Sequence, residues 1–333
     1  MTMYANKRQA ANETPLTSDN THLSEPITTA LDGGAINCTQ ATSGYVRAAI
    51  ADNTRRAYRA DLNHFLEWGG AIPATDVMVA DYLAVHAGAL AVSTLCRRIA
   101  SIAKAHRARG LQSPTVSDLI KATMRGIKRT HGAPQRGSAP LLIEDLLRIM
   151  SVLGDGMKDT RDRALLLLGF AGGFRRSELV ALDVEDIQSV RQGMIVTIKR
   201  SKTDQAGVGR QIGVPFARGR FCPVKSVEAW LQVAGISDGP VFRSVDRYGR
   251  VGTQRLSSEA VANVIKARVE QVGFDPTLYS GHSLRAGLAT SAAMAGVSSL
   301  DIRKQTGHAS DAMLARYVRS GELFVNNASG ALL

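Results

Sequence analysis

Residues 132 to 140 read Gly-Ala-Pro-Gln-Arg-Gly-Ser-Ala-Pro, with two prolines, two glycines and no apolar period. Proline removes a backbone donor and glycine carries an entropic cost in any regular element, so neither a helix nor a strand is expected to run through this stretch. The 333-residue chain therefore parts into two folding regions joined by a linker at 132–140. At 44% hydrophobic residues, both regions can bury a core.

Residues 1–43 are rich in Thr, Ser, Asn and Ala without an apolar period, and are expected to form a disordered arm. From residue 44 to 131 the period is helical. Between Asn53 and Trp68, Tyr58, Leu62, Phe65 and Leu66 fall on one helix face, with Arg55, Arg56 and Arg59 near its start. Further helices are expected at about 75–88, 93–109 and 115–130, the second with Leu95, Ile99, Ile102 and His106 on one stripe. The region reads as an all-helical module.

Lys and Arg number 41 against 29 Asp and Glu, a formal charge of +12, which is the balance expected of a chain that neutralises phosphates. Within the helical module Arg55, Arg56, Arg59, Arg97, Arg98, Lys104, Arg107, Lys121 and Arg125 are candidate DNA contacts. The alternative use of the same residues is as solvated helix faces that bind nothing.

Residues 141–325 form the second region. Helices are expected at about 143–153, 160–172, 223–234, 257–272, 283–295, 299–306 and 310–318. Between them, Ile195–Ile198 and Ile212–Val214 are short β-prone runs around the polar segment Lys202 to Gly209, which predicts a β-hairpin. The expected fold class is mainly α with a small β-sheet, a helical N-terminal module being followed by a mixed α/β domain and a short tail at 326–333.

Several chemistries lack their residues. The chain has no Gly-Lys-Ser/Thr phosphate loop and no His-Glu-x-x-His pair, and Cys38, Cys96 and Cys222 are too scattered for a zinc cluster or a disulfide framework. No cofactor or metal is expected. An export signal and a membrane-length apolar run are also missing, so a cytoplasmic protein is expected, associated with the bacterial nucleoid if it binds DNA.

What remains is a series of cationic and nucleophilic residues in short, ordered contexts. Gly173-Phe-Arg175-Arg-Ser-Glu178-Leu comes first, then Arg200-Ser-Lys202-Thr, then His282-Ser-Leu-Arg285, then Gly307-His308 with Tyr317 nine residues later. In order, context and spacing these resemble the motifs of the tyrosine recombinases, the family that includes the phage integrases, over about residues 44 to 325.

The chemistry of these residues supports the resemblance. Attack on a phosphodiester builds charge on the non-bridging oxygens, and the planar guanidinium groups of Arg175 and Arg285 can pair with two of them. Glu178, three residues after Arg175, is expected on the same helical face to orient it; Arg176 is the rival to Arg175. A helix starting near Ser280-Gly281 is expected to present His282 and Arg285 in one direction, His282 exchanging a proton with the attacking phenol or donating to the phosphate. Lys202 is placed to protonate the departing 5′ oxygen, its context selecting it over Lys199 by resemblance. The resemblance makes His308 a phosphate ligand and Tyr317 the nucleophile, with the other six tyrosines outside the motif.

By resemblance, two domains would enclose duplex DNA as a C-shaped clamp. Four protomers would then exchange strands between two sites through a Holliday junction, with DNA-bending accessory proteins as possible partners and the hydrophobic tail docking in cis or on a neighbour. Type IB topoisomerases share much of this chemistry, but the small helical module and the tail favour a recombinase. A DNA-binding protein without cleavage activity is the third reading. The DNA site, and whether the outcome is integration, excision, resolution or inversion, are not legible.

Overall fold

The structure, a computed structural model, describes residues 39–133, 137–199 and 209–308, together with residues 310, 312, 314, 315 and 317. It falls into two units, Met1–Gln135 and Arg136–Leu333. The fold is mostly helical with two small antiparallel sheets, and among the described residues no helix is long and apolar enough to cross a membrane.

The first unit contains α1 (Gln40–Ala48), α2 (Asp52–Glu67), α3 (Asp76–Val85), α4 (Val92–Ala108) and α5 (Asp118–His131). Helix α1 begins inside the stretch read as an arm, because the Thr39 hydroxyl accepts the Thr42 amide and caps it. Residues 1–38 lie outside the described residues. The apolar period of α2 delivers Leu62 and Phe65 into a core with Tyr82, Leu83, Leu95, Ile102 and Ile120. His106, on the stripe of α4, is fully buried and structural: its Nδ1 donates to the Ile102 carbonyl and its Nε2 accepts the Ala74 amide.

The second unit is built around α7 (Met157–Ala171), whose residues Ala164 to Phe170 are all buried, as a continuous apolar run requires. Helices α6 (Ile143–Val152), α9 (Pro223–Val233), α10 (Ser258–Gln271) and α11 (Ser283–Met294) complete its core, and the short α8 (Arg176–Ala181) and α12 (Ser299–Thr306) border the site described below. Arg268 of α10 reaches two oxygens across the core, Asp162 Oδ2 at 2.5 Å and Asp159 Oδ1 at 2.6 Å, while Arg161 holds the other oxygen of Asp162. Two buried cations thus share one buried carboxylate.

Strands β1 (Ile187–Val190), β2 (Gly193–Ile198) and β3 (Arg210–Pro215) form an antiparallel sheet in that order, and β4 (Arg243–Val245) pairs with β5 (Val251–Arg255). Strand β1, the β4–β5 hairpin and α8 are too short to impose a period, so the sequence does not announce them. In β3 the inward positions alternate as Arg210, Ile212 and Val214, with Arg210 opposite Ile198.

The second half of the expected linker is not free. Ser138 Oγ bonds Ser280 Oγ at 2.6 Å, and the amides of Ala139 and Leu141 bond the carbonyls of Leu278 and Ser283. Residues 138–140 are therefore part of the second unit and serve as its entry strap. Gly287 makes that strap possible, since a Cβ there would lie 1.8 Å from the Leu141 carbonyl oxygen.

Candidate active site

Helix α7 ends at Gly172, and Gly173 turns the chain with φ +58° against Leu288 and Thr306, where a Cβ would lie 2.9 Å and 3.0 Å from side-chain carbons. The turn sets Arg175 at the N-cap of α8 in extended conformation. Arg175 and Glu178 are therefore not on one helical face, as their spacing suggests. The pairing instead bends back over the cap: Glu178 Oε2 accepts the Arg175 amide at 3.0 Å and Oε1 accepts Arg175 Nη1 at 2.5 Å. Glu178 is only 3% exposed, so its charge is expressed in a low dielectric. Arg176 lies on the exposed side of α8, its Cδ close against Gly281.

Arg285 rises from α11 into the same centre and is 1% exposed. Its Nη1 donates to the Gly173 carbonyl at 2.8 Å and to the Thr306 carbonyl, while its Nη2 is buried without a hydrogen bond. Burial, then the neighbouring Arg175, pushes its guanidinium down to about 10, still protonated at neutral pH.

The expectation for His282 needs correcting. Helix α11 begins at Ser283, since the Ser283 hydroxyl accepts the Ser280 amide and closes the entry turn, so His282 is the N-cap and is exposed, whereas Arg285 is buried. The two residues converge all the same. His282 Nε2 lies 2.5 Å from Tyr317 Oη, and Tyr317, half-buried in a helical segment, packs with Ala289, Ala293, Ile302 and Leu314.

His308 is 7% exposed, with its ring centroid 5.9 Å from that of Tyr317. The Thr306 hydroxyl donates to the Ile302 carbonyl at 2.6 Å, so its oxygen accepts from His308 Nδ1 at 2.7 Å. This bond assigns the Nδ1–H tautomer. Burial, then the cations Arg285 and Arg175, lowers the imidazole to about 3, so the ring is neutral.

A model of the phage integrase family matches residues 141–322. The chain belongs to this family, the tyrosine recombinases. Among its relatives, an integrase/recombinase xerD homolog of Selenomonas ruminantium is 38% identical over 288 residues, covering 84% of each chain. The recombinase cre of Escherichia phage P1 is 28% identical over 283 residues, covering 78% of this chain and 79% of that one. Of solved structures, XerH site-specific recombinase bound to palindromic difH substrate aligns with a TM-score of 0.63 at 15% identity, covering 91% of this chain and 94% of that one. The lambda integrase, residues 75–356, bound to DNA aligns with a TM-score of 0.60 at 17% identity over 90% and 98%. At such identities the structures speak for the fold.

In this tyrosine recombinase the chain folds so that Arg175, Glu178, His282, Arg285, His308 and Tyr317 form one cluster. Lys202 lies outside the described residues. Lys199, its neighbour in sequence, is held by Asp186 at 2.8 Å and Glu185 at 2.5 Å, which raise its ammonium above the ordinary range. One member of the cluster was missed. Arg210 Nη2 donates to Glu178 Oε2 at 3.2 Å, and its Nη1 to the Gln305 carbonyl at 3.1 Å. The alternation Arg210-x-Ile212-x-Val214 was the available signal, because it turns a cation toward the core.

Among the helical module's candidate cations, Arg56, Arg59, Arg97, Arg107, Lys121 and Arg125 are exposed, and Arg55 and Lys104 are half-buried. Arg98 is a correction. It is 7% exposed, its Nη1 meeting the Tyr82 hydroxyl at 2.5 Å and His64 Nδ1 at 2.7 Å, with Asp61 at 3.7 Å. Burial first, then the Arg98 charge, lowers His64 below the usual histidine range. Asp61 also takes Arg97 bidentately at 2.8 Å and 2.9 Å, so the pair of arginines anchors α4 to α2.

Proposed function

We propose that this tyrosine recombinase cuts and rejoins duplex DNA at a specific site through a 3′-phosphotyrosyl intermediate. The observation that carries the reading is the 2.5 Å contact of Tyr317 Oη with His282 Nε2 beside the Arg175–Arg285 cluster. A phenol is a weak nucleophile while protonated, and an adjacent neutral imidazole accepts its proton as the oxygen attacks phosphorus. The P–O5′ bond then breaks, and Lys202 supplies the proton to the departing 5′ oxygen. Arg175 and Arg285 pair with the non-bridging oxygens as charge builds on them, Arg285 through its unpartnered Nη2. His308 borders the same phosphate, and Glu178 orients Arg175.

The phosphotyrosyl bond conserves the energy of the broken ester, so a 5′ hydroxyl from a partner duplex can reseal the strand and return the proton through His282. Repeating the exchange on the second strand passes through a Holliday junction, with four protomers on two sites and DNA-bending proteins as possible accessories. In this reading residues 44–131 are the DNA-gripping module and residues 141–325 the catalytic domain, with 326–333 as a tail. Arg56, Arg59, Arg107, Lys121 and Arg125 are its phosphate-contacting cations, and the protein works in the cytoplasm at the nucleoid. The solved relatives crystallised on DNA, XerH and the lambda integrase, support DNA as the partner.

The test uses Tyr317→Phe protein to capture and sequence the DNA it binds, then a nicked duplex of that sequence. The parent chain should form a denaturant-resistant protein–DNA adduct, and Tyr317→Phe none. An adduct undiminished in Tyr317→Phe, or absent from the parent, refutes the covalent reading.

A further inference from the structure

A third arginine stands in the cluster with no part in the chemistry so far. Arg210 occupies an inward-facing position of β3, where apolar residues follow it, and burial lowers its guanidinium below the usual arginine range, with Arg175 adding to the effect and Glu178 opposing it. A long cation in such a place costs desolvation unless its partners are fixed. Here they are. Its fork spans two elements: Nη1 holds the Gln305 carbonyl at the end of α12, and Nη2 holds the Glu178 oxygen that also accepts the Arg175 amide. The flat face of the guanidinium lies against Gly307, where a Cβ would sit 2.7 Å from Arg210 Cζ. Gly307 has φ +66° and turns the chain from α12 into His308. Gln305 Nε2 in turn holds the Ala171 carbonyl at 2.8 Å, so the turn is tied to the end of α7 as well.

From this geometry we infer that Arg210 is a positioning residue of the strand-cutting centre, fixing Glu178 with Arg175 on one side and the Gly307–His308 turn on the other; the inference rests on the phosphoryl-transfer reading of the site. Arg210 does not itself reach the phosphate, because Nη1 and Nη2 hold protein oxygens and its Nε is buried. Its charge still counts. Arg175, Arg210 and Arg285 face one carboxylate, Glu178, so Arg210 adds one positive charge beside the phosphate-binding arginines. Attack raises the charge on a phosphodiester from one negative to two, so a cation fixed at this place favours the transition state over the bound ground state.

The test compares the parent chain with Arg210→Met, checked for folding by thermal melting. On the nicked substrate, adduct formation should slow about 100-fold while DNA affinity stays within about threefold, the signature of an interaction made in the transition state. Protein labelled with ¹⁵N at histidine supplies a second reading without DNA: the His308 Nδ1–H signal, sheltered by Thr306 in the parent, should be lost to exchange in Arg210→Met. A rate within threefold of the parent, an affinity that falls in parallel with the rate, or an unchanged His308 signal each overturns the inference. Arg210→Lys keeps the charge but removes the fork, so a rate about tenfold below the parent is expected and a rate equal to it overturns the bridging role. Because the imidazole signal needs no cleavage, a parent that forms no adduct refutes the covalent reading alone, and the signal still decides whether Arg210 positions His308.

Discussion

Acid should weaken the catalytic unit through His308, by an amount that follows from its surroundings. Burial and the arginines lower its imidazole from 6.5 to about 3, so the unfolded chain binds a proton that the native state refuses. The sign follows: this contribution is fully present above pH 6.5 and is lost as the pH falls toward 3. Between about pH 7.5 and about pH 5 the loss is about 2 kcal/mol, because over that range the unfolded imidazole gains its proton while the native ring stays neutral. For a unit of this size that corresponds to about 4–8 °C in Tm. The assay is differential scanning calorimetry at the two pH values on the parent and on His308→Asn, whose amide keeps a donor for the Thr306 oxygen but does not titrate. Other groups shift both proteins together, so the quantity of interest is the difference of differences. His308→Asn should lose about 4–8 °C less than the parent on acidification. Equal losses would mean that the ring is charged in the native state or open to water, and the neutral tautomer drawn from Thr306 would be wrong.

The other expectations are simpler. Asp162→Ala strands Arg161 and Arg268 in the core and should cost about 3–5 kcal/mol, measured by urea unfolding, whereas a loss below about 1 kcal/mol would mean that water reaches the pair. Gly287→Ala drives a Cβ into the Leu141 backbone and should lower Tm by about 10 °C or leave no soluble protein; a near-parental melt would show that the entry strap can move aside. In the helical module, Arg98→Ala should destabilise by about 3 kcal/mol while leaving the salt dependence of DNA binding unchanged, and Arg107→Ala should do the reverse, reducing the slope of log affinity against log salt by about one. Interchanged results would turn the inside and outside of α4 around.

Periodicity made most helices of this chain legible, because the faces of α2, α4 and α7 are set by burial along one element. Arg97 and Arg98 show where that legibility stops. Adjacent in sequence and alike in charge, one is exposed and the other buried, yet both turn to the same carboxylate, and only the position of Asp61 on another helix decides that both serve structure. Glu178 is the converse case. Its partner was read correctly but through the wrong geometry, since the spacing of three that joins neighbours on a helix also joins an N-cap to the third residue of the first turn.

The assembly of the site depends on places where side chains are missing. Arg285 reaches the Gly173 carbonyl at a turn where the Leu288 and Thr306 side chains close into the space a Cβ would take, and Arg210 lies flat on Gly307 in the same way. The motifs contain these glycines beside the chemically conspicuous cations and tyrosine, but not the close contacts that make them necessary. They do not include Arg210, whose hydrogen bonds run to a backbone carbonyl and to a carboxylate already assigned to another arginine. The strand alternation that turns Arg210 inward was in the sequence all along. It became meaningful only when the buried partner of Arg210 proved to be Glu178, the carboxylate that also holds Arg175, so the sheet takes part in the cluster beyond its packing role.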